Sequence, residues 1–280
     1  MSAPTVLVDR AGQVLELATG QAGIDPADSG FTHGRGVFET LRAQHGVPCW
    51  LDRHLARLAF GAQRLGLPAP ASDRVRGLVN LALRRHSEAV TRVRITYTGG
   101  TPTAGPTLMV EAAPAGPAAG PMSLTVAPWV RNERSPLTGV KCTGYSENLL
   151  ARQWALERGF DEALMLDTRG RLSEGTLSSV FLVIGGTAYT PTLECGALPG
   201  IARGLLLEWG SADSVPVHAR ELVPDDLDRA QEVFCTNAFR GVMPVVAVDG
   251  RRLDQGPVTK ALANLYAKRR ESLTPSDERI

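Results

Sequence analysis

The sequence predicts an α+β protein in two parts, and three observations carry that prediction. Short β-like runs outnumber the helical stretches, the helices do not alternate regularly with the strands, and an Ala/Pro/Gly segment interrupts the chain before its middle. Without a regular βαβ repeat, a doubly wound sheet is not the natural reading. The interruption, Ala112 to Pro121, reads AAPAGPAAGP, a composition that neither sustains a helix nor packs a core. It divides the chain into a small α+β domain over 1–111, a linker over 112–121 and a larger domain over 122–280.

Taken in order, β-like runs fall at Thr5–Asp9, Val37–Ala43, Arg92–Thr98 and Thr107–Glu111, where β-branched and apolar residues recur. Helical spacing of apolar residues appears at Leu51–Leu65 and Asp73–Ser87. Beyond the linker, strands are expected at Ser123–Val130, Ala163–Leu166, Val180–Ile184, Thr187–Thr190, Glu232–Thr236 and Pro244–Asp249. Helices are expected at Glu147–Arg158, Ile201–Trp209 and Val258–Ser272. Between Ala163–Leu166 and Val180–Ile184 the chain turns at Arg169-Gly170 and then reads as a loop, Ser173-Glu-Gly-Thr176.

The composition excludes several classes of function. With 43% hydrophobic and 21% charged residues over 280 positions, the chain can bury a substantial core. Its 30 Lys and Arg against 29 Asp and Glu leave a net charge of +1, so no global field draws it to nucleic acid or an anionic membrane. The basic runs Arg84-Arg85-His86 and Lys268-Arg269-Arg270 are read as solvated helix faces. Cys49, Cys142, Cys195 and Cys235 form no Cys-x-x-Cys pair, which indicates neither a metal site nor a disulfide framework and fits a reducing cytoplasm. No signal-peptide pattern and no membrane-length apolar run is present, so the expected partner is a small molecule.

Three places could carry chemistry. Lys141 lies in Gly139-Val-Lys-Cys-Thr-Gly-Tyr-Ser-Glu-Asn-Leu-Leu-Ala151, without a neighbouring basic residue. A lysine used in imine chemistry needs partial desolvation so that its amine is neutral often enough to attack a carbonyl, although taken alone a surface lysine is the commoner reading. Glu174 stands among small residues, as a candidate partner for a protonated ring nitrogen or as a solvated loop charge. Ala197-Leu-Pro-Gly-Ile-Ala-Arg203 opens a helix with Pro and Gly, which exposes first-turn amides suited to phosphate. His33, His54 and Arg35 could form a catalytic cluster, but a turn histidine and a helix histidine are more often structural.

The order and spacing of six blocks between Ser29 and Lys260 resemble the fold-type IV pyridoxal-phosphate enzymes. That family comprises the branched-chain and D-amino acid aminotransferases together with 4-amino-4-deoxychorismate lyase. The blocks are His33-Gly-Arg-Gly-Val-Phe-Glu-Thr-Leu-Arg42, Asp52-Arg-His-Leu-Ala-Arg-Leu58, the Lys141 block, the Glu174 block, Leu198-Pro-Gly-Ile-Ala-Arg203 and Thr236-Asn-Ala-Phe-Arg-Gly-Val-Met-Pro244. The resemblance implies the two-domain fold of that family, a homodimer, and pyridoxal 5'-phosphate carried by Lys141 as the Schiff-base lysine. It implies Glu174 at the pyridine nitrogen, Arg57 at the phosphate and Tyr145 near the ring. Gly200, Ile201 and Ala202 would supply amides to the phosphate, with Thr236 or Asn237 opposite. Arg94 and Arg35 are the candidates for a substrate carboxylate.

Two departures from the family pattern bear on the reaction. Ala202 stands where transaminases often have Thr, and Tyr97-Thr-Gly-Gly100 replaces the Arg-Gly pair of the lyases and D-aminotransferases. Cys235-Thr-Asn-Ala-Phe-Arg-Gly-Val-Met-Pro-Val245 resembles the lyase pattern, and the Arg and His pair of D-aminotransferases is missing from Thr101–Thr107. The resemblance is therefore closest to the lyase, which expels pyruvate from aminodeoxychorismate to leave 4-aminobenzoate. A class IV aminotransferase is the alternative. A non-catalytic protein retaining the fold would be expected to lack Lys141 or Glu174, and both are present.

Overall fold

The computed structural model describes residues 4–18, 21, 23–86, 88–116, 120–210 and 215–274. The chain separates into two compact units: Met1–Pro117 with Val140–Gly144 and Glu271–Ile280 form the first, and Ala118–Gly139 with Tyr145–Arg270 form the second.

In the first unit the elements run β1 (Thr5–Arg10), β2 (Gln13–Leu17), α1 (Ser29–Thr32), β3 (Gly36–Gln44), β4 (Val47–Pro48), α2 (Leu51–Arg64), α3 (Ser72–Leu83), β5 (Val90–Thr101) and β6 (Gly105–Pro114). Among the described residues the strands form an antiparallel sheet of order β2-β1-β6-β5-β3-β4. The buried residues Leu51, Leu55, Leu58 and Ala62 recur at helical spacing, so α2 lays one apolar stripe on the sheet. It ends where Gly66 turns at φ +65°, donating to Gln63 O while Leu67 donates back to Ala62 O. The α3 stripe of Val75, Leu78, Val79 and Ala82 joins the same core. The helix closes at Leu83 rather than continuing towards Ser87, which lies outside the described residues.

The second unit runs β7 (Met122–Arg131), α4 (Ser146–Leu156), β8 (Glu162–Asp167), β9 (Leu172–Gly175), β10 (Ser179–Ile184), β11 (Thr187–Pro191), a short 3-10 turn (Leu193–Cys195), α5 (Ile201–Gly210), β12 (Val217–Arg220), α6 (Pro224–Arg229), β13 (Glu232–Asn237), β14 (Gly241–Val248), β15 (Arg251–Arg252) and α7 (Pro257–Glu271). Its described strands make a mixed sheet of order β12-β11-β10-β13-β14-β7-β8-β9, with β15 paired to β14. One face carries a core that includes Val180, Leu182, Val233, Cys235 and Val245. The alternate residues of β10 and β13 face the other way, where Phe181 and Phe234 stack at 4.7 Å and α5 packs.

Four sequence expectations change. Ala112–Pro114, read as linker, extends β6, because small side chains fit the crowded sheet face where Ala112 and Ala113 are buried; residues 117–119 of that segment lie outside the described residues. The expected loop at Ser173–Thr176 is largely strand β9, buried along its length. The short elements β2, β12 and α6 were not anticipated, since each offers too few residues for a periodic signal. Lys141, expected with the second domain, belongs to the first unit. Its segment pairs with β3, Cys142 bridging Val37, Phe38 N donating to Lys141 O at 2.9 Å and Thr143 N to Gly36 O at 2.8 Å.

Candidate active site

In the first unit that backbone pairing fixes where the lysine can reach. Lys141 Nζ lies 4.4 Å from the centroid of the buried Phe38 ring. Arg94 crosses the same ring, its guanidinium carbon 4.0 Å from the centroid. Phe38 faces Thr96 across the β3–β5 register, and Arg94, two residues back on β5, shares that face. The buried Thr96 hydroxyl has no hydrogen-bond partner. One sheet face thus presents two cations, an aromatic ring and an unsatisfied hydroxyl, a set that suits an anionic substrate with a planar body.

Behind that face Glu39, Arg57 and His54 form a closed group. Arg57 donates from Nε to Glu39 Oε1 at 2.8 Å and from Nη2 to Oε2 at 2.6 Å. His54 Nδ1 meets Oε2 at 2.6 Å, and both His54 and Glu39 side chains are wholly buried. Burial alone would raise the Glu39 pKa, but Arg57 and then His54 outweigh it and hold the carboxyl down at about 2. For His54, burial, assisted by the charges on Arg57 and Lys141, overcomes the pull of Glu39 and keeps the imidazole pKa below its ordinary value. The imidazole is then neutral, with Nδ1 as the donor. Arg57 is held rigidly by a charge-assisted fork.

In the second unit Glu174 sits on β9 between two donors. Arg131 Nη2 lies 3.2 Å from Oε1, and Leu198 N donates to Oε2 at 2.9 Å. That amide opens the stretch running through Pro199 and Gly200 into α5. The helix ladder starts with Gly204 donating to Gly200, which leaves the amides of the first turn without an intrahelical acceptor. A Cβ placed on Gly200 would stand 2.6 Å from Ser179 Oγ, so a side chain here would have to turn that hydroxyl aside. Ser179 is in register with Thr236 on β13. The Thr236 hydroxyl is buried, at 1% exposure, with no hydrogen-bond partner. First-turn amides and an unsatisfied hydroxyl thus converge on Ser179, and a phosphate group would satisfy them.

The predicted residues therefore fall into two groups: Arg57, Arg94 and Lys141 in the first unit, and Tyr145, Glu174, Gly200, Ile201, Ala202 and Thr236 in the second. Tyr145 donates its hydroxyl to Thr176 O at 3.1 Å. Two candidates are engaged elsewhere. Arg35 donates to the carbonyls of Leu65 and Gly66 at the end of α2, at 3.3 and 2.9 Å, because the last carbonyls of a helix have no intrahelical donors. Asn237 closes the β13–β14 turn, its Oδ1 accepting from Arg240 N at 2.7 Å. His33 is exposed at the end of α1, against Thr32 Oγ1. Tyr97, which opens the stretch that stands in place of the family's Arg-Gly pair, is a core residue whose hydroxyl donates to Pro68 O at 3.1 Å.

Sequence reasoning assigned no role to Glu39, Arg131, Asn148 or Ser179. For Glu39 a signal existed: Val37, Glu39 and Leu41 alternate along β3, which sets a carboxylate at a core-facing position that only a partner can tolerate. Among the described residues no group of three or more His, Cys, Asp or Glu side chains could hold a metal. No helix among them is long and apolar enough to cross a membrane.

Comparison with known proteins places this geometry. The profile of the amino-transferase class IV family matches residues 36–248, and the chain belongs to that family. A Methanocaldococcus jannaschii protein, provisionally named a branched-chain-amino-acid aminotransferase, is 30% identical over 255 residues, covering 85% of this chain and 88% of its own. The aminodeoxychorismate lyase of Bacillus subtilis is 27% identical, covering 88% of this chain and 89% of its own. A hypothetical aminotransferase from Mycobacterium tuberculosis, in its PLP-bound form, superposes with a TM-score of 0.87 at 26% identity, over 97% of this chain and 99% of its own. The fold is that of the fold-type IV enzymes. The protein is a pyridoxal-phosphate-dependent enzyme, and the unsatisfied donors around Ser179 fit the cofactor's phosphate.

Proposed function

We propose that the chain is a 4-amino-4-deoxychorismate lyase. Pyridoxal phosphate, when bound, supplies an aldehyde that condenses with amines and a ring that draws electrons from the carbon bearing the substrate's amino group. Lys141 would carry the cofactor through its amine and, once displaced by substrate, take the proton from that carbon and give it up to the departing three-carbon fragment, which leaves as pyruvate while the ring becomes aromatic. Phe38 beneath Nζ removes water from one side of the amine, which favours its neutral form. Glu174, as a carboxylate, keeps the ring nitrogen protonated, and Tyr145 lies by the ring. Arg57, fixed by Glu39, and the amides of Ile201 and Ala202 hold the phosphate together with the Thr236 hydroxyl, whereas Gly200 N, expected to join them, donates to Leu198 O at 2.8 Å. Arg94, which lies over the same Phe38 ring as Lys141, takes a substrate carboxylate.

The observation that carries the lyase reading is Ala202, a buried methyl at 1% exposure in the first turn of α5. A transaminase leaves its cofactor off the lysine between two half-reactions and depends on the phosphate contacts to retain it. A lyase returns the cofactor to the lysine within every turnover and tolerates one hydroxyl fewer. The elimination also balances without a second substrate, since aminodeoxychorismate divides into 4-aminobenzoate and pyruvate. The second reading, a class IV aminotransferase, is favoured by the 30% identity to the M. jannaschii relative.

The test is to incubate PLP-loaded protein with aminodeoxychorismate and no 2-oxo acid. Release of 4-aminobenzoate with equal pyruvate is expected. No release, but turnover once an amino acid and a 2-oxo acid are supplied, replaces the lyase by the aminotransferase. The same reading implies a cytoplasmic homodimer. Exposed apolar residues on β7 (Trp129, Val130) and α4 (Leu149, Leu150) support a subunit contact, and the four cysteines, all free and buried, suit a reducing compartment.

A further inference from the structure

Glu174 has a partner that no sequence block contains. Arg131, at the end of β7, meets it through Nη2, and the same nitrogen donates to Asn148 Oδ1 at 3.2 Å. The pair is largely withdrawn from water, with side-chain exposures of 18% for Arg131 and 10% for Glu174. Arg131 Nε is buried and has no acceptor. An arginine chosen only to brace the fold would be expected to spend its donors on carbonyls, as Arg35 does. Here Nη2 meets one carboxylate, one amide oxygen and, at 3.6 Å, Met165 Sδ, while buried Nε is left without an acceptor at some cost.

Asn148 extends the connection. Its Nδ2 donates to Thr176 O at 2.7 Å, the carbonyl that also accepts from the Tyr145 hydroxyl. Glu174 is therefore fixed on one side by Leu198 N and on the other by an arginine tied to the residue that shares an acceptor with Tyr145.

We propose that Arg131 is a positioning residue for the ring nitrogen's partner: it aims Glu174 and keeps it ionised, with Asn148 tying that pair to the Tyr145 side of the ring. The inference rests on the reading above that Glu174 serves the ring nitrogen. A carboxylate and a pyridine nitrogen share one proton, and a guanidinium beside the carboxylate favours its ionised form, so the proton stays on the nitrogen and the ring keeps drawing electrons. Without that charge, the buried carboxylate competes for the proton.

The experiment compares Arg131→Met, Arg131→Lys, Glu174→Gln and the Arg131→Met/Glu174→Gln double variant with wild type, all loaded with pyridoxal phosphate. Four quantities are measured: the absorption band of the lysine-bound cofactor, its dissociation constant, kcat and KM for whichever reaction wild type catalyses, and apo melting temperature. Arg131→Met is expected to shift the band in the direction Glu174→Gln shifts it and to lower kcat by at least tenfold with KM within threefold. Arg131→Lys keeps the charge and should recover most of that loss. The double variant should be no worse than Glu174→Gln alone, because both changes act through one carboxylate.

A normal band and kcat in Arg131→Met overturn the proposal and leave the reading of Glu174 intact, as do losses that multiply in the double variant. Should Arg131→Met fail to fold, Arg131→Lys and Asn148→Ala decide by the same comparison of bands. A wild type without any lysine-bound band overturns the site reading itself.

Discussion

Glu39 is the residue whose ionisation the first unit depends on most directly. It is wholly buried, bridges Arg57 and His54, and has its pKa held at about 2, against an ordinary glutamate value near ~4.3 in an unfolded chain. The unfolded state therefore binds more protons than the folded state between those values. Stability from this group is complete above the unfolded value and is lost as pH falls towards about 2. His54 works in the same direction from higher pH. Its folded pKa lies below the ordinary value, so the unfolded chain takes up a proton first as pH drops below roughly 6.5. Urea unfolding between pH 2 and 7 should give a stability that declines steadily on the acid side, with Glu39 contributing on the order of 3 kcal/mol. Glu39→Gln should lose about 3 kcal/mol at pH 7, by leaving Arg57 without its counter-charge, and should flatten the acid limb. An acid limb of unchanged slope in the variant would mean that other carboxylates set it.

Among the elements, β9 and the start of α5 are held to each other through Glu174 and Leu198, and Gly200, two residues on, stands against Ser179 of β10. A Cβ at Gly200 would lie 2.6 Å from Ser179 Oγ. Gly200→Ala must turn that hydroxyl aside or move the start of α5 from β10, and either change alters the surroundings of the first-turn amides. The expected cost to folding is about 1–3 kcal/mol, as for other overpacked positions, while pyridoxal-phosphate affinity should drop at least tenfold. Fluorescence titration with the cofactor checks this, and the double variant Gly200→Ala/Ser179→Gly should regain part of the affinity by removing the obstacle. If the single variant binds normally, the amides are not the phosphate donors. The same stretch marks where local sequence stops being informative. A strand of four residues carrying Ser, Glu and Gly has the composition of a loop; what makes it a strand is antiparallel pairing with β8, and the donors that let its Glu174 be buried, Arg131 and Leu198, are remote in sequence.

At the scale of the whole molecule, the long strands and helices were legible because their periodicity is strong: Leu51–Arg64 and Val90–Thr101 emerge nearly where apolar spacing sets them. Lys141 and Arg57 were singled out by the resemblance of their blocks to the family. What stayed hidden depends on long-range pairing. The assignment of Val140–Gly144 to the first unit follows from β3 backbone groups, and nothing in the lysine's own neighbourhood announces it. Arg131 and Asn148 are ordinary residues until the sheet brings Glu174 to them. Each unit has its own core, around Leu41 and Ile95 in the first and around Leu182 and Val233 in the second. Neither core needs the cofactor in order to pack, so removal of pyridoxal phosphate should leave a folded apoprotein with a lower melting temperature. Binding to the folded state alone adds about 2.7 kcal/mol at a hundredfold excess over the dissociation constant, a rise of several degrees in a chain of this size. Lys141→Ala should melt like the wild-type apoprotein, since its half-buried side chain fills little of the core, and should gain a smaller rise from the same cofactor concentration. The phosphate contacts survive the change and the covalent link does not. Calorimetry of both proteins with and without cofactor measures the two rises, and equal rises would remove Lys141 from its role as the cofactor's anchor.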